Sequence, residues 1–111
     1  MSSEKFIISN NTDWVQLNDS MRRQILGYDE QMMLVKIEFK AGGIGYAHQH
    51  THRQCTYVVS GVFEFEVGGE TKIVRAGDGL YMEPDVIHGV KCIEDGILID
   101  TFSPMREDFL K

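Results

Sequence analysis

Apolar and polar residues alternate one by one along several short stretches of the chain. The clearest is 62–67, where Phe63, Phe65 and Val67 alternate with glutamates, and 32–39 shows the same pattern. Because successive side chains of a strand point to opposite faces, this period of two predicts half-buried β-strands.

Polar and glycine-rich stretches separate these segments, and Gly68-Gly69 is the strongest hairpin-turn signal among them. A final helical turn is predicted to begin at Ser103, with Pro104 in its first position. Strands are predicted over 24–26, 32–39, 46–50, 54–59, 62–67, 71–74, 80–82, 88–93 and 97–102.

Many short strands without a long helical pattern indicate an all-β fold, a small antiparallel β-barrel or jelly roll. The chain has 111 residues, which suits one domain with a modest core. We expect a single domain over residues 1–111, with its core at about 32–103.

Net charge, cysteine count and the length of apolar runs limit the partners and the cellular compartment that we expect. The net charge of −6 argues against nucleic acid or an anionic membrane as a partner and leaves a small molecule. The two cysteines, Cys55 and Cys92, are too few for a disulfide scaffold and lack metal-type spacing. With no apolar run of membrane length and no visible signal peptide, we expect a reduced, cytoplasmic protein.

The chemistry points to a metal. His48 and His50 lie two residues apart on an extended segment and so point the same way, Gln54 follows after a short turn, and His88 arrives from a distant strand. Neutral imidazole is a common ligand of divalent transition metals, and an amide oxygen can serve beside it. These four residues are predicted to bind one divalent ion, whether Ni, Zn, Fe, Mn or Co, whereas His52 in the turn is expected to be solvated.

The spacing of these residues resembles the first motif of the cupin superfamily. That motif is Gly, five residues, His-x-His, three or four residues, Glu, six residues and Gly. Gly42, His48, His50, Gln54 and Gly61 fit it, with Gln in place of Glu.

The second cupin motif is Gly, five residues, Pro-x-Gly, two residues and His. Gly77 and His88 fit it, but Glu83 stands where Pro is usual and Asp85 where Gly is usual. The first motif is therefore the specific one, and the two together span residues 42–92.

The run 96–110 is similar to the KdgF family of single-domain cupins, which also carry a His-x-His, Gln and His metal set. That resemblance implies metal-dependent ring opening and ketonisation of 4,5-unsaturated uronate monosaccharides from pectin or alginate breakdown. The product would be a linear 5-keto-4-deoxyuronate, and the substrate a small anionic sugar. Family likeness also implies a homodimer.

The same resemblance suggests catalytic roles for Asp100 and Arg106. Asp100 shares strand parity with Leu98 and Phe102, so it is either an inward general acid/base or an outward, hydrogen-bonded surface acid. Arg106 suits bidentate capture of a substrate carboxylate. Phe102 is expected in the core and pocket wall, and Arg53 at the pocket rim or simply on the surface.

Three further functions stay open: a cupin dioxygenase, a non-catalytic sugar-binding cupin and a metal-free structural barrel. A ligand set without charge keeps the ion's Lewis acidity and attracts anionic oxygen, but it also supports iron oxygenases. A cupin dioxygenase would consume oxygen, whereas ring opening would instead remove the ultraviolet absorbance of the conjugated double bond.

Overall fold

Eight β-strands and two short 3-10 turns form the fold in the computed structural model, which describes residues 1–111. The strands are β1 Val15–Asn18, β2 Met21–Asp29, β3 Met32–Phe39, β4 Ile44–His48, β5 Arg53–Val67, β6 Glu70–Arg75, β7 Gly79–Met82 and β8 His88–Ser103. The turns are Ser9–Asn11 and Glu107–Leu110. No helix of this structure has the length and apolar character that crossing a membrane requires.

All strand pairs are antiparallel, in the order β1-β2-β3-β8-β5-β6, with β4 joined to β8 and β7 to β5. This confirms the predicted all-β architecture. The sheet begins at Val15, ahead of the expected core start at residue 32, and the predicted strand over 24–26 is part of the nine-residue β2.

Strands β5 and β8 are the two longest strands of the sheet, with 15 and 16 residues. The prediction of two strands separated by a turn is wrong in each case, because the chain passes through a bulge instead of reversing. At the bulge Gly61 has φ +87°, and a Cβ there would lie 2.6 Å from the carbonyl oxygen of Asp95. A Cβ on Gly96 would collide with the carbonyl oxygen of Ser60, so glycine is needed on both strands.

The helical turn predicted to start at Ser103 is also wrong. Ser103 pairs with Arg53 and is the last residue of β8, because the strand ladder holds it extended. The Ser103–Pro104 peptide is cis, and the 3-10 turn begins at Glu107 without a side-chain cap.

Apolar side chains from the alternating strands fill the interior in two clusters. One contains Met21, Phe39, Val58, Phe63, Phe65, Met82, Cys92 and Leu98, and the other Met33, Val35, Phe102 and Met105. Four buried polar side chains come from the facing strands β5 and β8: Gln54, Thr56, His88 and Asp100. Buried polar groups require partners, so this region is where the fold departs from a plain apolar core.

Candidate metal centre

Three histidines converge at one end of the sheet. His48 on β4 is the cross-strand partner of His88 on β8, and His50 follows two residues after His48. Their ring centroids are 4.5 to 5.6 Å apart, and one nitrogen from each lies within 4.8 Å of the others. The prediction that His48 and His50 point the same way is confirmed.

Each Nδ1 of this triad contacts a backbone carbonyl oxygen two residues away. The pairs are His48 with Tyr46 at 2.8 Å, His50 with His52 at 3.0 Å and His88 with Val86 at 3.0 Å. Only an N–H can pair with a carbonyl oxygen, so in the neutral ring Nδ1 carries the proton and Nε2 presents a lone pair. This is the tautomer that a metal bound at Nε2 requires.

The Nε2 atoms fit a bound cation. Nε2 of His88 is buried without a hydrogen-bond partner. Nε2 of His50 lies 3.0 Å from Oε1 of Gln54, which places two acceptor lone pairs side by side. A cation accepts electron pairs from all of these atoms, so the donor set suits a divalent transition metal.

Electrostatics favour the neutral imidazoles that a metal needs. Burial lowers the pKa of His88, since desolvation disfavours the charged ring. Burial also lowers the pKa of His50, and the positive charge of Arg106 adds to the effect. Both rings are therefore neutral at physiological pH.

A hydrogen-bond chain leads from the metal cluster to a buried acid. Nε2 of Gln54 donates to Oγ1 of Thr56 at 3.1 Å, and Oγ1 of Thr56 donates to Oδ1 of Asp100 at 2.6 Å. Asp100 is 6% exposed, so its side chain points inward and the outward alternative is wrong. Burial raises the pKa of Asp100 to about 6, although the Thr56 hydrogen bond opposes this.

A cavity of about 240 Å³ brings these groups together. Its polar lining consists of His48, Gln54, His88, Asp100, Arg106 and Arg23. Phe102 lies in the apolar part of the wall, 4% exposed, with its ring centroid 5.9 Å from that of His50. A mostly apolar pocket with a few convergent polar groups is the usual form of a small-molecule site.

Arg106 is half of a bidentate ion pair at the cavity edge. Its Nε and Nη2 donate to the two carboxylate oxygens of Asp108 at 3.1 and 2.9 Å. The Arg106 side chain is 13% exposed, and its guanidinium carbon lies 4.3 Å from the ring centroid of Phe109. The same ion pair lowers the pKa of Asp108.

Two other candidates lie away from the cavity. Arg53 is exposed and precedes the inward-facing Gln54, so strand alternation turns its side chain to the opposite face. His52 is outside the triad, and its backbone carbonyl is the acceptor for His50. The expectation that it is solvated is wrong, because its ring packs edge-on against His50 and its Nδ1 is buried.

Arg23 and Phe109 are charged and aromatic residues of the cavity wall that the sequence patterns did not single out. Arg23 on β2 and Phe109 in the C-terminal 3-10 turn both line it, and the Arg23 guanidinium carbon lies 3.7 Å from the Phe109 ring centroid. The available signal for Arg23 was its parity with Met21, which also lines the cavity.

Comparison with known proteins agrees with this geometry. A family model described as a cupin domain matches residues 35–100, and the chain belongs to the cupin family. It is 40% identical over 108 residues to the pectin degradation protein KdgF of Dickeya dadantii (strain 3937), covering 96% of this chain and 98% of that one. The predicted resemblance to KdgF is thus confirmed.

Two solved cupin structures are also similar to this chain over nearly its full length. An RmlC-like cupin from Shewanella frigidimarina NCIMB 400 is 45% identical and matches with a TM-score of 0.95 over 97% of both chains. KdgF from Halomonas sp. is 35% identical, with a TM-score of 0.91 over 96% of this chain and 99% of its own.

Proposed function

We propose that this protein opens and ketonises 4,5-unsaturated uronate monosaccharides, giving a linear 5-keto-4-deoxyuronate. The observation that carries the proposal is a buried acid, Asp100, connected through Thr56 to Gln54 beside a histidine triad of the kind that binds metals. Asp100, Gln54 and two of the histidines line one cavity. The pectin degradation protein from Dickeya dadantii supports the substrate class.

His48, His50, Gln54 and His88 would hold one divalent transition metal. When bound, the ion supplies a Lewis acid that stabilises negative charge on substrate oxygen. Because all four ligands are uncharged, the full charge of the ion is available to an anionic sugar. The donor set accepts Ni, Zn, Fe, Mn or Co, and metal analysis decides between them.

Asp100 is the proposed proton carrier. The reaction is an isomerisation: a proton leaves the anomeric hydroxyl as the bond from C1 to the ring oxygen breaks, and a proton joins C4, which becomes a methylene. With a pKa of about 6, Asp100 exchanges protons readily near neutral pH. Its carboxylate takes the first proton and its acid form delivers the second, while Thr56 fixes the orientation of the carboxyl group.

Arg106 and Phe102 would position the sugar. A guanidinium has five N–H donors, and Asp108 occupies two of those of Arg106, so others are free for the substrate carboxylate. Phe102 supplies an apolar wall against the sugar ring.

The substitution Asp100→Asn tests this function because it keeps the shape of the side chain and removes its proton exchange. We expect turnover of the unsaturated uronate to fall by about 10²- to 10⁴-fold while the metal content stays equal to that of the wild type. Glu94→Gln, an exposed change on the same strand, is the control. Full activity of Asp100→Asn would reject the role.

The proposed setting is the cytoplasm, and the proposed assembly is a homodimer. The free thiols of Cys55 and Cys92 support a reducing compartment. Exposed apolar side chains on the outer face of β5 and β7, Tyr57, Val59 and Tyr81, support self-association. Light scattering in solution measures the assembly directly.

A further inference from the structure

Arg23 is a half-buried cation in the cavity wall, and it forms no ion pair with a carboxylate. β2 carries it into the wall shared with His48, His88 and Asp100. Its Nε is buried without a hydrogen-bond partner, and its guanidinium lies over the ring of Phe109. A buried, unsatisfied N–H on a charged group is costly, and it calls for a partner that is itself polar or anionic.

Arg106 differs from Arg23 in this respect. The bidentate ion pair with Asp108 already satisfies part of the Arg106 guanidinium. Two guanidiniums and one carboxylate therefore meet around Phe109, an excess of one positive charge that the Asp100 carboxylate elsewhere in the cavity wall balances when it is ionised. Burial lowers the pKa of Arg23, while the nearby Asp108 raises it. An anion bound at this position supplies the acceptor that the buried Nε of Arg23 lacks.

We propose that Arg23 binds the carboxylate of the substrate together with Arg106, and thereby selects anionic uronates over neutral sugars. This inference rests on the proposed function and adds a residue that neither the cupin motifs nor the C-terminal likeness includes. The competing interpretation is a purely structural arginine that packs on Phe109. The two interpretations differ in one respect: only the first depends on the charge of the ligand.

The experiment compares Arg23→Met with the control Arg22→Met. Arg22 is the adjacent residue on β2, but it pairs with Glu38 and stacks on Trp14, away from the cavity. Two substrates are used, the unsaturated uronate and its methyl ester, which lacks the negative charge. For Arg23→Met we expect KM for the uronate to rise about 10- to 100-fold, as for a lost charge-assisted hydrogen bond, with kcat within about threefold.

For the methyl ester, KM of Arg23→Met should stay within about threefold of the wild type, and Arg22→Met should change neither substrate. Equal losses on both substrates, or an unchanged KM for the uronate, would overturn the inference. Arg23→Lys keeps a positive charge and is expected to fall between the wild type and Arg23→Met. It also decides the question if Arg23→Met does not fold.

Binding measurements separate this inference from the proposed function. If the wild type turns over neither sugar, the proposed function fails, and metal-loaded protein is then titrated calorimetrically with the uronate and its ester. Arg23 is supported if the wild type prefers the uronate and Arg23→Met loses that preference. The inference is rejected if the wild type shows no preference for the uronate, or if Arg23→Met keeps the wild-type preference.

Discussion

Thr56 donates a 2.6 Å hydrogen bond to the buried carboxyl group of Asp100, its cross-strand partner between β5 and β8. A hydrogen bond to a carboxylate stabilises the charged form, so Thr56 opposes the rise in the pKa of Asp100 that burial causes. The pair therefore sets the pH range in which Asp100 can accept and return a proton.

Thr56→Val should shift the pH profile of the enzyme. Without the hydroxyl, the pKa of Asp100 rises further, and since the proposed first step needs the carboxylate, the acidic limb of kcat/KM moves to higher pH. Thr56→Ser retains the donor and should restore the wild-type profile. Steady-state rates from pH 5 to 8 measure the effect, and an unmoved acidic limb in Thr56→Val contradicts it.

The raised pKa of Asp100 should also appear in stability. The group has its ordinary pKa of 3.8 when unfolded and about 6 when folded, so the native state binds more protons between these values. Its favourable contribution is present below pH 4 and is lost as the pH rises through 6. In metal-free protein, the free energy of unfolding of Asp100→Asn minus that of the wild type should increase by about 2 kcal/mol from pH 4 to 7.

Denaturant unfolding at a series of pH values provides that comparison. The two proteins differ only at residue 100, so the pH dependence of the difference reports the ionisation of Asp100 and its coupling to neighbouring groups. A difference that stays constant across this range is incompatible with a raised pKa.

Removing one imidazole should release the metal without unfolding the protein. His48 is exposed, so His48→Ala leaves no large cavity, yet it deletes one of the four proposed ligands. We expect metal affinity to fall by at least about 100-fold, because even outer-shell partners of a metal site cost 10- to 100-fold. His52→Ala is the control, since its ring packs edge-on against His50 but offers no nitrogen to the cluster, and its backbone carbonyl is kept. Equal metal content in both variants would remove His48 from the ligand set.

Asp85 explains a departure from the second cupin motif. It stands where the motif has Gly, and its φ is +65°, in the left-handed region that Gly and, less readily, Asp adopt. Its backbone N–H donates to the carbonyl oxygen of His50 at 2.8 Å, so this conformation helps to hold the segment that carries His48 and His50.

Asp85→Gly should therefore keep the wild-type free energy of unfolding to within about 0.5 kcal/mol, whereas Asp85→Val should lose about 1–2 kcal/mol. Urea unfolding of the two variants measures the difference. If Val proves as stable as Gly, the left-handed conformation carries no cost at this position.

Strand alternation was sufficient to predict much of the site. It placed His48 and His50 on one side, and it put Asp100 on the face of Leu98 and Phe102, all three of which the structure buries. For Asp100 the prediction succeeded because β8 pairs with β5 in unbroken register from Leu98 to Phe102, whereas β4 has a register shift between Gly45 and His48.

The same rule failed where both faces of a strand are covered or where the strand bends. On β2 the cavity covers Arg23, while the N-terminal segment covers Gln24, whose amide donates to the carbonyls of Ser9 and Thr12. Polarity there no longer marks the solvent side, so Arg23 was missed. Gly61 lies at a bulge. Bulges and turns both favour glycine, so the local sequence does not distinguish the two.

The central claim is that an ion in the histidine cluster and a buried acid together isomerise an unsaturated uronate. Its most direct test is the ultraviolet absorbance of the conjugated double bond, followed without oxygen in metal-loaded and chelator-treated protein. We predict that absorbance falls with the loaded protein only, at a rate that added oxygen leaves unchanged. Absorbance that stays constant until oxygen is admitted, or that falls equally after chelation, would contradict the account.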